Sequence, residues 1–354
     1  MGSASTRVIA LALGLGAFAF GTTAVRADAI IYNTGDINTA TVAMGIFDEG
    51  HLNVTDPFGA LTTSNAAAVG LAKKFADGTW RDATAPGCLC EGWGLSVTDA
   101  GSASHQLGAS VSNSPGIFNL TTGASATDAG AGTGTFFTSN VSMTSLAGLT
   151  VTQDYRVAAN TTDLFQNTVT ITNMTGEDLT ELRYTRAMAS HIPPDEFNPF
   201  ATILGTPTTT FLDISHETGF SNLLQLNPDG PLDGATLNVD FVDNGPADHG
   251  AYFNFLFGDL ADGESFDFSV YYGASDSEDA ANAAVAAEEI ELFSYGQQSG
   301  DPTGGTPATF IFGFKGVGGD PIFPPKPEPM PEPMTLLLFG TGLAGLGALR
   351  RRRG

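Results

Sequence analysis

The chain has 354 residues, of which 42% are hydrophobic, and 14 Lys and Arg stand against 38 Asp and Glu for a formal net charge of −24. The apolar content is enough to build a hydrophobic core and excludes a wholly disordered chain. The acidic charge excludes nucleic acid as a partner, because phosphates would be repelled.

The first 29 residues have the order of a secretory signal peptide. Arg7 precedes an apolar run at 8–20, and small residues follow before two candidate cleavage points, after Ala27 or after Ala29. This order predicts an exported protein. The alternative for the apolar run is a buried N-terminal helix.

Residues 30–133 form a region rich in Gly, Ala, Ser and Thr, which favours strands and loops. The region contains both cysteines of the chain, Cys88 and Cys90. They are candidates for a disulfide, although in an extended segment their Cα atoms would lie near the outer limit of acceptable separation. Structural thiols, redox chemistry and metal binding are the alternatives, and no second Cys pair completes a zinc set.

Residues 134–320 alternate between apolar and polar side chains, most clearly at 149–157 and 165–173. A period of two predicts half-buried antiparallel strands. The turn-forming residues 174–178 predict a hairpin between the second of these strands and the next. Further strands are predicted at 179–190, 237–242, 251–257, 265–273 and 309–314.

One helix is predicted near 276–293, with Ser275 as N-cap, Glu278 completing a capping box and Gly296 ending the helix. Its Ala-rich sequence favours packing against the strands. The predicted fold is mainly β: an antiparallel β-sandwich at 134–320 with one amphipathic helix, plus an N-terminal signal peptide and a C-terminal single transmembrane helix.

The C-terminal part reads as a stalk followed by a membrane segment. Residues 321–333 are proline-rich and predict an extended spacer of about 40 Å at ~3.1 Å per residue. The uncharged residues 334–349 would span about 24 Å as a helix, less than the ~30 Å hydrocarbon core. Four arginines follow and would hold that end in the cytoplasm as a stop-transfer signal, namely Arg350, Arg351, Arg352 and Arg353. A permanent anchor and a temporary one both fit this pattern.

The order of Pro331, Glu332 and Pro333, an apolar span and a terminal arginine cluster resembles the PEP-CTERM sorting signal of exported proteins in exopolysaccharide-producing Gram-negative bacteria. The resemblance covers about residues 327–354 and implies recognition by an exosortase, with cleavage at or near Pro-Glu-Pro. The two prolines keep such a site extended and accessible to a protease.

Residue patterns for catalysis are sparse. The five histidines are scattered singly, without metal-binding spacing, and no Gly-x-Ser-x-Gly elbow occurs. His191 with Asp195 and Glu196, or His216 with Glu217, are candidate acid/base sets. Polar residues of turns and strand ends explain them better. We therefore expect a protein that is not an enzyme.

Two binding features are also candidates. Asp229, Asp233, Asp240 and Asp243 could provide oxygen ligands for calcium, or they could be ordinary loop and turn residues. No other cofactor is expected. Trp80, Trp93 and the aromatic strands could form a sugar-stacking platform or simply pack the core.

These features together predict a structural or adhesive protein of the outer envelope or extracellular matrix. Its precursor would reside transiently in the inner membrane, and its partners would be an exosortase and exopolysaccharide. The alternative is a carbohydrate-active hydrolase on the same β-sandwich.

Overall fold

A computed structural model describes residues 28–56, 58–61, 68–85, 87–194, 196–224, 237–298 and 307–323. The sorting motif Pro331, Glu332 and Pro333, the apolar span and the arginines at 350–353 lie outside the described residues, as do residues 1–27 of the predicted signal peptide. Within the described residues, no helix is both long enough and apolar enough to cross a membrane.

The described residues form one helix and 21 strands. The first strands are β1 (Ala29–Tyr32), β2 (Val42–Ile46), β3 (Val54–Thr55), β4 (Ala68–Val69), β5 (Leu71–Lys74), β6 (Trp80–Asp82), β7 (Glu91–Thr98), β8 (Ser104–Ser110), β9 (Leu120–Thr122) and β10 (Ala126–Thr127). The others are β11 (Phe136–Met143), β12 (Leu149–Val157), β13 (Leu164–Asn173), β14 (Leu179–Ala189), β15 (Phe200–Leu204), β16 (Leu212–His216), β17 (Phe241–Asn244), β18 (Gly250–Leu260), β19 (Ser265–Ser275), β20 (Leu292–Gln297) and β21 (Thr309–Lys315). The helix α1 (Glu278–Glu288) lies between β19 and β20.

The strands form antiparallel sheets, which confirms the mainly β prediction. A ten-stranded sheet has the order β10-β11-β12-β13-β19-β21-β20-β15-β17, with β9 also paired to β11. A five-stranded sheet has the order β16-β18-β14-β7-β8, and a four-stranded sheet has the order β1-β2-β5-β6. The short strands β3 and β4 pair with each other.

The period-two pattern places one face of β11, β12 and β13 in the core. In β12 and β13, Val151 lies opposite Ile171, and both are buried. The polar neighbours Thr150 and Thr172 are also opposite each other and remain partly exposed. Alternation along the chain thus fixes which face of this sheet is buried.

Aromatic side chains join the ten-stranded and five-stranded sheets. The ring centroids of Tyr184 and Phe268 are 4.8 Å apart, and those of Phe255 and Phe314 are 4.9 Å apart. Each pair has one partner from each sheet. Burial of such a side chain stabilises the fold by about 1.5–3 kcal/mol, so these contacts form a shared core between the two sheets.

The predicted hairpin at 174–178 is wrong. β13 pairs with β12 and β19 in the ten-stranded sheet, whereas β14 pairs with β7 and β18 in the five-stranded sheet. The turn therefore carries the chain from one sheet to the other. The second half of β14 is buried on both faces, as at Ala187 and Met188, whereas β13 alternates between buried and partly exposed residues, so the two strands suit different sheets.

The helix is shorter than predicted and begins at a different cap. Ser277, not Ser275, is the N-cap, and its hydroxyl accepts a hydrogen bond from the Ala280 amide at 3.2 Å. The helix ends at Glu289, whose φ of 55° is left-handed. Gly296 lies instead in β20, because the aromatic residues after the helix pair with β15 and β21.

Three other predicted strands, at 251–257, 265–273 and 309–314, are longer in the structure by one to four residues, and two larger differences concern 237–242 and the region 30–133. Of the segment 237–242, only its end is a strand, in β17. Strands from 30–133 also join those from 134–320, since β7 pairs with β14 and both β9 and β10 pair with β11. The N-terminal region thus contributes strands to both large sheets.

Candidate functional site

A cleft beside the β5–β6 hairpin is the best candidate site among the described residues. Its hairpin turn is closed by Asp77, whose carboxylate accepts from the backbone amide and the hydroxyl of Thr79 at 2.9 and 2.6 Å. Gly78 supplies the positive φ of 81° that this turn requires. The hairpin ends are thereby held in register, with Lys73 opposite Arg81 and Lys74 opposite Trp80.

The cleft has a volume of about 560 Å³ and is lined in part by Lys73, Lys74, Phe75, Arg81, Asp276 and Gln298. Asp276 lies between the end of β19 and the N-cap of α1, and Gln298 directly follows β20. The hairpin forms one wall, and these two chain segments, distant in sequence, contribute to the other.

Cations concentrate at this cleft. The described residues contain seven Lys and Arg side chains, and three of them, Lys73, Lys74 and Arg81, line the cleft. In a chain of net charge −24, this concentration is a local reversal of the surface charge. Such a patch attracts anionic groups at short range.

The Lys73 ammonium is buried and paired. Its side chain is 3% exposed, and Nζ donates to Asp276 Oδ1 at 2.6 Å. The Asp276 side chain is 91% exposed, so solvent screens that partner. A buried ammonium needs a carboxylate or an equivalent acceptor, because leaving it unpaired is costly.

Lys74 and Arg81 each lie over an aromatic ring. Arg81 Cζ is 4.3 Å from the Phe75 ring centroid, and Lys74 Nζ is 5.9 Å from that of Trp80. Arg81 Nη2 also donates to Asp77 Oδ2 at 2.6 Å. Lys74 has no carboxylate within salt-bridge distance in the part of the chain that the structure describes. Directly opposite residues of an antiparallel pair share a face, so Lys73 and Arg81, each paired with a carboxylate, lie on one face of the hairpin, and Lys74 lies with Trp80 on the other.

The aromatic side chains named as a sugar-stacking platform are mostly core residues. Trp93 is fully buried, its indole Nε1 donating to the Glu49 carbonyl at 2.9 Å, and Phe253 and Tyr272 are fully buried as well. Trp80 is 8% exposed. Core packing, the other interpretation of these residues, therefore accounts for them.

The calcium candidates are partly outside the described residues, since Asp229 and Asp233 fall there. The Asp240 carboxylate accepts from the Thr206 amide and hydroxyl at 2.9 and 2.8 Å. Burial raises the pKa of Asp243, which disfavours the ionised form that a cation needs. Among the described residues no group of three or more His, Cys, Asp or Glu could hold a metal ion, and calcium binding stays a prediction.

Of the predicted acid/base sets, Glu196 lies close enough to His191 to raise its pKa, and His216 and the adjacent Glu217 are both buried. His191 Nε2 lies 3.5 Å from Asp248 Oδ1, and Asp195 is outside the described residues. Burial lowers the pKa of His191, while Asp248 opposes this effect. The His216 ring stacks on Tyr252, with centroids 4.6 Å apart. Both histidines therefore pack against a carboxylate or an aromatic ring, and acid/base chemistry at either one stays a prediction.

Three buried polar side chains without described partners lie in the five-stranded sheet and in the loop after β16. Thr185 and Asn254 are opposite each other on β14 and β18, and both are fully buried. Neither side chain has a hydrogen-bond partner among the described residues, and the same holds for the hydroxyl of the loop residue Ser221. These three side chains are closed to solvent and offer no surface to a large ligand, whereas the basic cleft is open to one.

The two cysteines form a disulfide between Cys88 and Cys90, with Cα atoms 5.1 Å apart. The bridge immediately precedes Glu91, the first residue of β7. Cys90 is buried, and its carbonyl accepts a hydrogen bond from the Ala189 amide at 2.8 Å. The bridge thereby fixes the entry of the chain into the five-stranded sheet.

The sequence reading missed Lys73, Lys74 and Arg81. The signal that could have found them is the adjacent pair Lys73-Lys74 in a chain where basic residues are scarce. No sequence pattern indicates that Asp276 lines the cleft, because Asp276 is 203 residues away from its partner Lys73.

Comparisons of the chain with protein-family models, with curated proteins and with solved structures find no match. The resemblance to PEP-CTERM proteins therefore stays a prediction from the sequence.

Proposed function

We propose that the protein is an exported, non-enzymatic component of the outer envelope or extracellular matrix, retained there by binding exopolysaccharide. The support for export and sorting is the order of the terminal segments in the sequence. The support for polymer binding is the basic cleft of about 560 Å³ in an otherwise acidic protein, and this observation carries the proposal. The folded part would be a β-sandwich that presents the cleft.

Processing would remove both terminal segments. At the N-terminus, Ala29 is fully buried and pairs with Ile46 as the first residue of β1. A cut after Ala27 leaves this pair intact, whereas a cut after Ala29 removes it, so we favour Asp28 as the mature N-terminus. At the C-terminus, an exosortase would cut near Pro331, Glu332 and Pro333.

Mass spectrometry of the protein recovered from the producing cells tests the sorting part. The expected mature chain begins at Asp28 and lacks the arginines at 350–353. Recovery of a final product that retains those arginines would show a permanent anchor and overturn exosortase processing.

Incubation of the protein with the polysaccharide of its own producing strain, followed by sedimentation, tests the binding part. The expected result is retention of the protein in the polymer pellet without new reducing ends. Release of reducing ends would favour the alternative, a carbohydrate-active hydrolase. Absence of both retention and cleavage would overturn the matrix role.

A further inference from the structure

A second pocket lies at the start of β1, where the mature chain would begin. It has a volume of about 330 Å³, and its lining includes Asp28, Asp48, Glu49 and His51. Three of these side chains are carboxylic acids, and among the described residues that line the pocket none is Lys or Arg. We call it the N-terminal pocket, because cleavage after Ala27 would make Asp28 the first residue.

The register of β1 brings the backbone nitrogen of Asp28 to these acids. β1 and β2 are antiparallel, with Ala29 opposite Ile46. One residue further along, Asp28 comes beside Phe47, and its nitrogen, which faces the preceding residue, lies at the level of Asp48. Opposite residues of an antiparallel pair have Cα atoms about 4.5–5.5 Å apart. A charge on this nitrogen therefore falls among the carboxylates of the pocket.

The turn that carries two of the acids is fixed by hydrogen bonds. Asp48 is 5% exposed, its carboxylate accepts from the Ser125 hydroxyl at 2.7 Å, and its carbonyl accepts from the Ser139 hydroxyl at 2.6 Å. The Glu49 carbonyl accepts from the Trp93 indole at 2.9 Å. A carboxylate has about four acceptor positions, so Asp48 can bind an ammonium group and keep its bond to Ser125.

The neighbouring basic groups do not neutralise the pocket. Burial lowers the pKa of His51 to about 4, so this ring is uncharged at neutral pH. Arg186 donates to the Gly50 carbonyl behind the turn at 2.9 Å, but its charge is balanced by Glu91 at 2.8 Å. The pocket therefore favours a further positive charge.

We propose that the N-terminal pocket binds the α-ammonium group that cleavage after Ala27 creates on Asp28. The inference rests on the proposed export and on that cleavage. Hydrolysis of the bond between Ala27 and Asp28 consumes one water and leaves a carboxylate on Ala27 and an ammonium on Asp28. In the precursor the same nitrogen is an uncharged amide with one N–H. Removal of the signal peptide thus completes an ion pair that stabilises the start of β1 in the mature protein alone.

The test is titration of the Asp28 α-amine in the protein recovered from the producing cells, once mass spectrometry has identified its first residue. Reductive methylation with ¹³C-formaldehyde labels the amine and keeps its charge, and NMR follows its loss of a proton. Lysine amines titrate near about 10.4 and are resolved from it. The tripeptide Asp-Ala-Ile, which has the same first three residues, is the reference. We expect a midpoint about one pH unit above that of the tripeptide, and equal midpoints would overturn the proposal.

Two variants expressed in the same cells weaken the pocket, and a third is the matched control. Glu49→Gln and Asp48→Asn each keep an acceptor oxygen and remove one charge, so each should abolish roughly half of the rise. Asp36→Asn removes an acid at the opposite end of the β1–β2 hairpin, where Asp36 accepts from the Asn38 amide at 2.8 Å and does not line the pocket. It should leave the midpoint unchanged, because distant charges are screened. An equal decrease in all three would show the general negative charge of the protein and contradict the pocket. Melting curves establish that each variant is folded.

Acetylation of the α-amine tests the contribution to stability. An amine that titrates about one pH unit higher in the folded protein than in the unfolded chain gives about a tenfold change in the unfolding equilibrium constant. Acetylation should therefore raise that constant about tenfold at neutral pH. Because the folded state has the higher pKa, the stabilisation is present below about pH 8 and is lost as pH rises to about 9.5. A difference that persists at high pH would come from the bulk of the acetyl group and contradict the ion pair.

The outcomes separate this inference from the proposed function. A mature chain that begins at another residue overturns both the cleavage after Ala27 and this inference, while retention on the polymer still supports the matrix role. A chain that begins at Asp28 and titrates like the tripeptide overturns this inference alone. A raised midpoint without retention on the polymer supports the ion pair and overturns the matrix role.

Discussion

The buried ion pair of Arg186 and Glu91 gives the sharpest stability prediction. Both side chains are inaccessible to solvent, and Arg186 Nε donates to Glu91 Oε1 at 2.8 Å. Burial alone would lower the pKa of Arg186, but Glu91 and the neighbouring tyrosines outweigh it and hold the pKa well above its usual value. The guanidinium is therefore charged in the folded protein.

The change to make is Arg186→Met, which keeps much of the side-chain length and removes the charge. The four lost bonds besides the one to Glu91 are those to Gln153, Tyr184, Tyr155 and the Gly50 carbonyl, at 2.6 to 3.1 Å. Among the described residues, the donors that remain for Glu91 are neutral, the Tyr272 hydroxyl and the Leu52 amide, both at 2.7 Å.

Breaking one side of a buried ion pair costs about 3–5 kcal/mol, because the remaining charge has lost its counterion. That is a large fraction of the roughly 5–15 kcal/mol by which a domain is stable. Urea unfolding followed by fluorescence of the buried Trp93 measures this loss. The control is Arg183→Met, three residues earlier on the same strand, whose pair with Asp213 is at the surface and contributes about 0–1 kcal/mol.

A second variant tests the reason for the loss. If the unpaired carboxylate dominates, Arg186→Met with Glu91→Gln should recover about 1–2 kcal/mol relative to Arg186→Met alone. A double variant whose loss equals the sum of the two single losses would refute the reasoning, as would a cost below about 1 kcal/mol for Arg186→Met.

Three further predictions concern the fold. Burial lowers the pKa of His51 from 6.5 to about 4, so between these pH values the unfolded chain binds a proton that the folded chain does not. Up to about 3 kcal/mol of stability should therefore be lost as pH falls from about 6.5 to about 4. Urea titrations of His51→Gln should show a smaller dependence of stability on pH, and an unchanged dependence would contradict this prediction. Ser277→Ala should cost about 1 kcal/mol through loss of the helix N-cap, and Ser277→Asp should retain stability. Gly273→Ala would place Cβ 2.0 Å from the Asp163 carbonyl oxygen and should cost at least about 1–3 kcal/mol, whereas the exposed Gly101→Ala should be nearly neutral in the same thermal melts.

The strands with clear alternation could be predicted closely from sequence. The segment 149–157 is β12 residue for residue, because one face of that strand meets the core and the other meets solvent. β14 shows the limit of this reasoning. The sequence predicts its first residue and places its end one residue too late, but its neighbours β7 and β18 come from opposite directions along the chain, and no local pattern encodes that pairing.

The candidate site was less predictable for a related reason. Lys73, Lys74 and Arg81 are close in sequence, whereas Asp276 and Gln298 reach the cleft through the ends of β19 and β20. A cleft that is assembled from separate segments leaves no fixed spacing of its residues in the sequence by which it could be predicted. The aromatic residues had a clear sequence pattern, but that pattern fits two roles. A strand such as β18 has the same sequence pattern whether its rings bind sugar or fill a core.

The charge distribution of the protein has a consequence for binding to an anionic polymer. The mature part, taken as residues 28–330, has 37 acidic and 8 basic side chains, so its net charge of −29 repels such a polymer at long range. Salt at about 0.1 M screens interactions beyond roughly 10 Å but affects contacts at hydrogen-bond distance much less. Moderate salt should therefore weaken the general repulsion before it weakens the direct contacts between the polymer and the cleft. Retention on the polymer is expected to pass through a maximum as salt increases, whereas a simple basic patch without opposing net charge would show a steady decrease.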